Sequence, residues 1–394
     1  LAWDKRGEHP KPGKYAFVER SYNPDSEDED DADDADDKVV KKEDEEEVKD
    51  VECTLQVEIK SLMELIFNQN YFQSTMAALN YDANKLPLGK LSKVTITRGF
   101  QQLKDLAALM DDPTLAVSKW NTDLSRATEM LSNMYYSIIP HAFGRNRPPI
   151  IRDNVLLKRE VELLESLSDM KAAEELMKID RKAKYDVHPL DKQFQGLGLN
   201  EMTVLDHKSS EFEYLSEYLQ GTKGDSHYLD YKVQEIFRIE RQGEGLRFDE
   251  FAEKSKIGAN RRLLWHGSRA TNFGGILSQG LRIAPPEAPV NGYMFGKGIY
   301  LADMSSKSAN YCCSYNTGGQ ALLLLCEAKL GDPMQRLTNA SSDAGSTAKK
   351  GGMESTWGVG TTAPPKWMDA GVVHESLKGI QMVSFFFFLL SFPM

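Results

Sequence analysis

The spacing of apolar residues changes once along this chain, near residue 186, and that change limits the folds open to it. Before it, apolar residues recur at helical intervals: Ile59, Leu62 and Ile66; Tyr71, Met76 and Leu79; Leu103, Leu106 and Met110; Leu157, Val161, Leu164 and Leu167. Residues three and four apart share one face of an α-helix, so each set reads as one buried stripe. Pro87-Leu88-Gly89, Pro140 and Pro148-Pro149 punctuate the connections, because proline removes a backbone donor and blocks helical continuation. These stripes predict a helical bundle over residues 51–183. After the change, Tyr231, Val233, Phe237 and Ile239 alternate with polar residues, and Leu263-Leu264-Trp265 and Ala321 to Leu325 are apolar runs of strand length. Glycine and proline become frequent from Gly267 to Gly298. Helices first and strands later predict an α+β chain, an all-α bundle followed by a mixed, strand-rich domain.

Charge marks a further segment. The net charge is −11, but residues 25–50 hold 16 acidic residues and 4 lysines, a local −12, which leaves +1 for everything else. A run so poor in apolar residues buries too little surface to offset its ordering entropy, so 25–50 is expected to be a disordered linker. Residues 1–24 contain a short alternating run, Tyr15-Ala16-Phe17-Val18, expected to be the last strand of a small β domain. The chain opens on Leu1 without an apolar signal segment, and a fragment is expected at that end. The four cysteines, Cys53, Cys312, Cys313 and Cys326, fit no CxxC or Cys/His ligand spacing, so no metal site is expected and a reducing compartment is. The apolar run at the C-terminus is shorter than the ~20 residues of a membrane-spanning helix, and no membrane partner is expected.

The chemistry-bearing stretch runs from Arg261 to Cys313. It contains Leu264-Trp265-His266-Gly267-Ser268-Arg269, then Gly292-Tyr293-Met294-Phe295-Gly296-Lys297-Gly298-Ile299-Tyr300-Leu301-Ala302-Asp303, then Ser306-Lys307-Ser308-Ala309-Asn310-Tyr311. These residues offer a histidine at a strand end, glycines that admit close backbone approach, tyrosine faces and a serine hydroxyl. A flat aromatic amide such as nicotinamide uses those parts: rings to stack on, and backbone and hydroxyl groups to pair with its carboxamide. Each residue alone also has a plain structural role, in packing or in a turn.

Together they resemble the NAD⁺ donor site of the poly(ADP-ribose) polymerases, specifically the DNA-dependent nuclear class. Pro87-Leu88-Gly89-Lys90-Leu91-Ser92 and Ile139-Pro140-His141-Ala142-Phe143-Gly144 are similar to that class's helical regulatory domain. Trp3, Pro12-Gly13-Lys14-Tyr15 and Glu19-Arg20 look like the tail of its WGR domain. The resemblance implies a WGR remnant over 1–24, a regulatory domain over 51–183 and an ADP-ribosyltransferase domain over 186–382. It implies that His266 and Tyr300 serve catalysis, with His266 on the adenosine ribose hydroxyls. Gly267 and Ser308 would hold the carboxamide, and Tyr311 and Tyr300 would flank the nicotinamide ring. Ser268, Arg282, Tyr293, Ala302 and Lys307 would line the rest of the groove. NAD⁺ is then a substrate, and nicotinamide leaves through an oxocarbenium-like transition state. Acceptor proteins, the chain itself and DNA breaks are the implied partners, and the nucleus the implied location.

Two departures stand out. Leu301 occupies a place where the family usually has an aromatic residue. The family's catalytic glutamate, in a late strand of the YNEYIVYD type, has no counterpart, so the domain is expected to lack its last strands. Residues 383–394, Val-Ser followed by a Phe/Leu/Ser/Pro run, read as translated intron. A non-catalytic DNA-damage scaffold is therefore the alternative to an active transferase. Gly358-Val359-Gly360-Thr361-Thr362-Ala363 spells a dinucleotide fingerprint, but Pro364-Pro365 follows where a helix would have to open, which argues against a Rossmann dehydrogenase.

Overall fold

The computed structural model describes residues 51–178, 187–224, 227, 230–254, 260–360, 363–364 and 366–384. The expected β remnant over 1–24, the acidic linker over 25–50, residues 179–183 of the bundle and the C-terminal tail beyond Ser384 lie outside the described residues.

The expected helices form. They are α1 (Val57–Ile66), α2 (Gln69–Ala78), α3 (Lys93–Asp111), the single turn α4 (Leu115–Ser118), α5 (Leu124–Ile138) and the long α6 (Asn154–Lys178). Side-chain caps satisfy the first free amides. Ser92 Oγ accepts from Thr95 N at 3.0 Å, Asp123 from Arg126 N at 3.0 Å, and Asp153 from Leu156 N at 2.8 Å. The stripe residues Ile59, Leu62, Ile66, Met76, Leu79, Leu103, Leu106, Leu157, Val161, Leu164 and Leu167 are all buried.

The chain divides into two compact units, and the division falls inside α6, between Leu164 and Glu165. One unit holds Leu79–Leu164 with the short stretch Pro285–Pro289. In it α3 approaches α6 closely at Gly99, where an added Cβ would lie 3.0 Å from Ile139 and 3.2 Å from Leu164. A buried polar group joins the same bundle. His141 Nε2 lies 2.8 Å from Glu160 Oε2, and Tyr135 donates its hydroxyl to the same oxygen at 3.0 Å.

The other unit gathers Lys49–Ala78, Glu165–Ala284 and the residues from Val290 onward. Its described part contains α1, α2, the second half of α6, and then α7 (Pro189–Gly196), β1 (Leu199–Val204), α8 (Ser210–Gly221), β2 (Phe237–Arg241), α9 (Glu244–Lys254), β3 (Arg261–Ser268), α10 (Phe273–Gln279), α11 (Ser305–Ala309), β4 (Leu322–Lys329), β5 (Gln335–Leu337), α12 (Ala344–Lys350), β6 (Thr356–Gly358), β7 (Trp367–Asp369) and β8 (Gln381–Val383). The largest sheet has the order β4-β3-β8-β7. β3 runs antiparallel to β4 over its whole length, from Arg261 opposite Lys329 to Ser268 opposite Leu322. It meets β8 in parallel at Arg262 and Gln381. Tyr218, Leu263, Trp265, Ala370, Val373, Ile380, Met382 and Val383 form the core on this sheet. β8 thus carries Val383, the first residue of the expected tail, into the core.

The strand expected from Tyr231 onward begins only at Phe237. Tyr231 is held instead by side chains. Gln220 Nε2 donates to its carbonyl at 2.8 Å, and its hydroxyl lies 2.8 Å from Ser305 Oγ. Gly358 ends β6 rather than opening a phosphate loop, and a Cβ there would strike the Phe295 ring at 2.3 Å. No helix of the described residues is long and apolar enough to cross a membrane.

Candidate active site

The site grows from the end of β3. Leu263, Leu264 and Trp265 are buried, which anchors the strand, and His266-Gly267-Ser268 follow as it emerges. One edge of β3 is taken by β4. On the other edge, Trp265 exchanges both backbone hydrogen bonds with Ala302, N to O at 2.7 Å and O to N at 2.9 Å. Trp265 therefore points its N–H and C=O away from β4. Backbone direction alternates along an antiparallel strand with a period of two, so Gly267 points its own N–H and C=O to that same edge, one pair beyond the bridge. This is the edge on which an amide ligand can be read by backbone alone.

Ser308, on α11, reaches the same edge. Its hydroxyl donates to Trp265 O at 2.9 Å, and it is buried. That carbonyl also accepts from Ala302 N, so Ser308 can turn its single proton to a ligand while Trp265 keeps a partner. Gly267 has a further constraint that the sequence did not display. A Cβ there would sit 1.9 Å from Ser308 O and 2.6 Å from Ser308 C. The glycine is needed first for α11 to lie against β3, and only its backbone faces the ligand edge.

His266 holds its ring by Nδ1, 3.0 Å from Tyr300 O. A carbonyl only accepts, so Nδ1 carries the proton and Nε2 presents a lone pair. Burial pushes the His266 pKa below its ordinary value, with the Tyr300 hydrogen bond opposing. The ring is therefore a neutral acceptor at pH 7. Tyr300 fixes the glycine-rich loop: its hydroxyl donates to Gly296 O at 2.6 Å and accepts from Phe295 N at 3.0 Å. Tyr293 stacks on Tyr300 at 6.4 Å between centroids. Tyr300 and Tyr311 remain 41% and 49% exposed, enough to leave aromatic surface for a ring. Ala302 contributes only backbone, and Lys307 lies exposed on α11.

Three further residues belong here that the sequence did not single out. Asn272 Nδ2 donates to Ser268 Oγ at 3.0 Å, while the buried Asn272 Oδ1 has no hydrogen-bond partner. An orphaned buried acceptor is expensive unless a ligand completes it. Glu165 and Asp169, one turn apart on α6, grip the same loop region. Tyr293 donates its hydroxyl to Glu165 at 2.6 Å, and Arg282 Nη2 donates to Asp169 at 2.7 Å. Burial raises the Asp169 pKa, and Arg282 counters it. The approach of α6 is set by two glycines of α10. A Cβ on Gly275 would meet Asp169 O at 2.8 Å, and one on Gly274 the Ala173 Cβ at 2.6 Å. His266, Gly267, Ser268, Ala302 and Ser308 thus meet around one strand end. Tyr293 and Arg282 are tied to α6.

Comparison with known proteins identifies the family. The family described as poly(ADP-ribose) polymerase, regulatory domain, matches residues 53–194, and the poly(ADP-ribose) polymerase catalytic domain matches residues 209–381. The chain is 38% identical over 366 residues to poly [ADP-ribose] polymerase 2 of Arabidopsis thaliana, covering 92% of this chain and 53% of that protein. It is 39% identical over 365 residues to poly [ADP-ribose] polymerase 2 of Homo sapiens, covering 92% and 58%. It is 42% identical over 330 residues to poly [ADP-ribose] polymerase 2-A of Oryza sativa, covering 82% and 47%. The chain therefore spans about half the length of the curated relatives it matches.

Proposed function

This chain belongs to the poly(ADP-ribose) polymerases, with their regulatory and catalytic domains in that order, and on that premise we propose that it uses NAD⁺ to ADP-ribosylate proteins. The observation that carries the reading is the free edge of β3 at Gly267, bounded by the Trp265–Ala302 bridge and the Ser308 hydroxyl. NAD⁺ supplies a ribose carbon with nicotinamide as its leaving group. The chain's own residues bind and orient it. Gly267 offers one donor and one acceptor to the carboxamide, and Ser308 a third partner. His266 Nε2 accepts from a ribose hydroxyl. Asn272 Oδ1, otherwise orphaned, accepts from the adenosine end. Tyr300 and Tyr311 supply ring faces that exclude water from the nicotinamide.

The same reading gives α6 a regulatory part. Glu165 and Asp169 hold Tyr293 and Arg282, two residues expected to touch NAD⁺, so the helix competes with the substrate for them. A partner that loosens α6 then activates the enzyme by population shift. DNA breaks as that partner, acceptor proteins including the chain itself, and a nuclear location belong to this proposal.

Two measurements test it on the full chain. Calorimetry with nicotinamide and with NAD⁺ should show one site, competitive between the two. Incubation with NAD⁺ separates the two readings: a transferase releases nicotinamide and adds ADP-ribose mass to the protein, whereas a chain in which nothing replaces the late-strand glutamate does neither. If the folded chain binds neither ligand, even with α6 loosened by mutation, the donor groove is misassigned. Binding without nicotinamide release would leave the scaffold reading in place of the transferase.

A further inference from the structure

Outside the groove, three residues of metal-binding type converge at the two ends of the segment matched as the regulatory domain. Cys53 lies in the extended stretch before α1, and His188 and Asp191 lie at the start of α7. Cys53 and Asp191 are 138 positions apart, which is why cysteine spacing alone names no site. One ligand atom from each of Cys53, His188 and Asp191 lies within 4.8 Å of the other two. We propose that these three side chains bind a single zinc ion that fastens the start of the helical segment to its end.

The donor set and geometry point to zinc. A thiolate, an imidazole and a carboxylate are all zinc ligands, and soft sulfur disfavours magnesium and calcium. On a tetrahedral zinc with Zn–S near 2.3 Å and Zn–O near 2.0–2.2 Å, the sulfur and oxygen lie roughly 3.5–3.7 Å apart. Cys53 Sγ and Asp191 Oδ1 are 3.6 Å apart. The thiol proton now lies between them, as a hydrogen bond. On binding, that proton goes to solvent and a Zn–S bond replaces it.

The other two ligands are prepared as well. His188 Nδ1 accepts from Leu190 N at 3.1 Å, so that nitrogen presents a lone pair. Zinc takes that lone pair in exchange for one cap hydrogen bond. Asp191 is buried, and its carboxylate is aimed by Thr54, whose N–H reaches Oδ2 at 3.0 Å and whose hydroxyl reaches Oδ1 at 3.1 Å. Outer hydrogen bonds of this kind orient metal ligands. Three protein ligands leave a fourth position for water.

The chain is stripped with a chelator and titrated with zinc, with magnesium and with cobalt(II), by calorimetry and absorption. One equivalent of zinc should bind and magnesium should not. Cobalt should give a sulfur-to-cobalt charge-transfer band that Cys53→Ser abolishes and Cys313→Ser leaves intact. His188→Gln should weaken zinc binding at least tenfold, and a chelator should lower the Tm of the wild type but not of Cys53→Ser. No binding, or binding indifferent to both Cys53→Ser and His188→Gln, overturns the proposal. Because Cys53→Ser preserves the hydrogen bond to Asp191, its fold serves as the control. NAD⁺ binding read on the same samples keeps failure here distinct from failure of the donor groove.

Discussion

The proposed competition between α6 and NAD⁺ for Tyr293 and Arg282 has a predictable size. The perturbation is Glu165→Ala with Asp169→Ala, which favours the helix on propensity and removes both grips. The Tyr293–Glu165 contact, 2.6 Å long with one charged partner, is worth about 1.5–3 kcal/mol. The Arg282–Asp169 pair is 2.7 Å long, with side chains 42% and 21% exposed, so solvent screens it to about 0.2–1 kcal/mol. Together they favour the covered state by roughly 2–4 kcal/mol, a factor of roughly 30–700 at tenfold per 1.4 kcal/mol. Apparent affinity is the intrinsic affinity scaled by the open fraction, so NAD⁺ should bind at least about tenfold tighter to the double variant. The gain ends once the open state dominates. Calorimetry with NAD⁺ measures it, and Glu162→Ala, whose ion pair with Lys158 is half exposed, is the neutral control. Unchanged affinity would mean the grips persist with substrate bound. Weaker affinity would mean that α6 supports the groove rather than closing it. Either result refutes the competition.

Other consequences follow from single residues. Gly267→Ala forces a Cβ to within 1.9 Å of Ser308 O; overpacking should destabilise by about 1–3 kcal/mol and weaken nicotinamide binding at least tenfold, read by thermal melting and calorimetry. Ser308→Ala removes the hydroxyl without a clash, so binding should fall while Tm changes far less; equal losses would mean that the hydroxyl is only structural. Because burial holds the His266 pKa below its ordinary 6.5, the folded chain binds fewer protons than the unfolded one as pH falls past 6.5, so folding loses stability there. NAD⁺ affinity should accordingly stay flat from pH 8 to below 6.5 and then drop, a dependence that His266→Ala should abolish; a midpoint above 6.5 counts against a neutral acceptor. Burial pushes the Cys312 thiol up to about 12, so iodoacetamide at pH 8 should label Cys313 well before Cys312 by peptide mass spectrometry. Faster labelling of Cys312 would contradict its burial against α11.

What the sequence made legible was local. Ile59, Leu62 and Ile66, or Leu157 to Leu167, declare a helix because burial and helical pitch impose the same spacing. His266, Gly267 and Ser308 were legible because a strand, a turn and a short helix lie within one continuous motif. The reason for Gly267 was only half legible. Sequence suggests a ligand against the glycine, whereas the Cβ direction is filled by the Ser308 backbone and the ligand edge follows from strand alternation. Tyr231 misled because alternation records a preference that the Gln220 and Ser305 hydrogen bonds override.

Glu165 and Asp169 were illegible for a different reason. They meet Tyr293 and Arg282 across 128 and 113 positions, and helical periodicity assigns polar residues at the margin of a stripe to solvent. The signal lay on the partner instead. Gly274 and Gly275 are adjacent in α10, where glycine weakens a helix by about 1 kcal/mol each relative to alanine. Two such residues in a helix only seven residues long imply that another backbone must come closer than a Cβ permits. That backbone is α6 at Asp169 and Ala173. Residues 165, 169 and 173 are spaced four apart and so share one face of α6. The close approach that the glycines allow at Asp169 and Ala173 therefore also sets Glu165 against the loop. Gly275→Ala should push α6 outward, because its Cβ would lie 2.8 Å from Asp169 O. It should then mimic the loss of both carboxylates, tightening NAD⁺ binding in the variant with Glu165 and Asp169 intact. A Gly275→Ala protein that melts normally and binds NAD⁺ with wild-type affinity would separate the close contact from the competition and break this chain of reasoning.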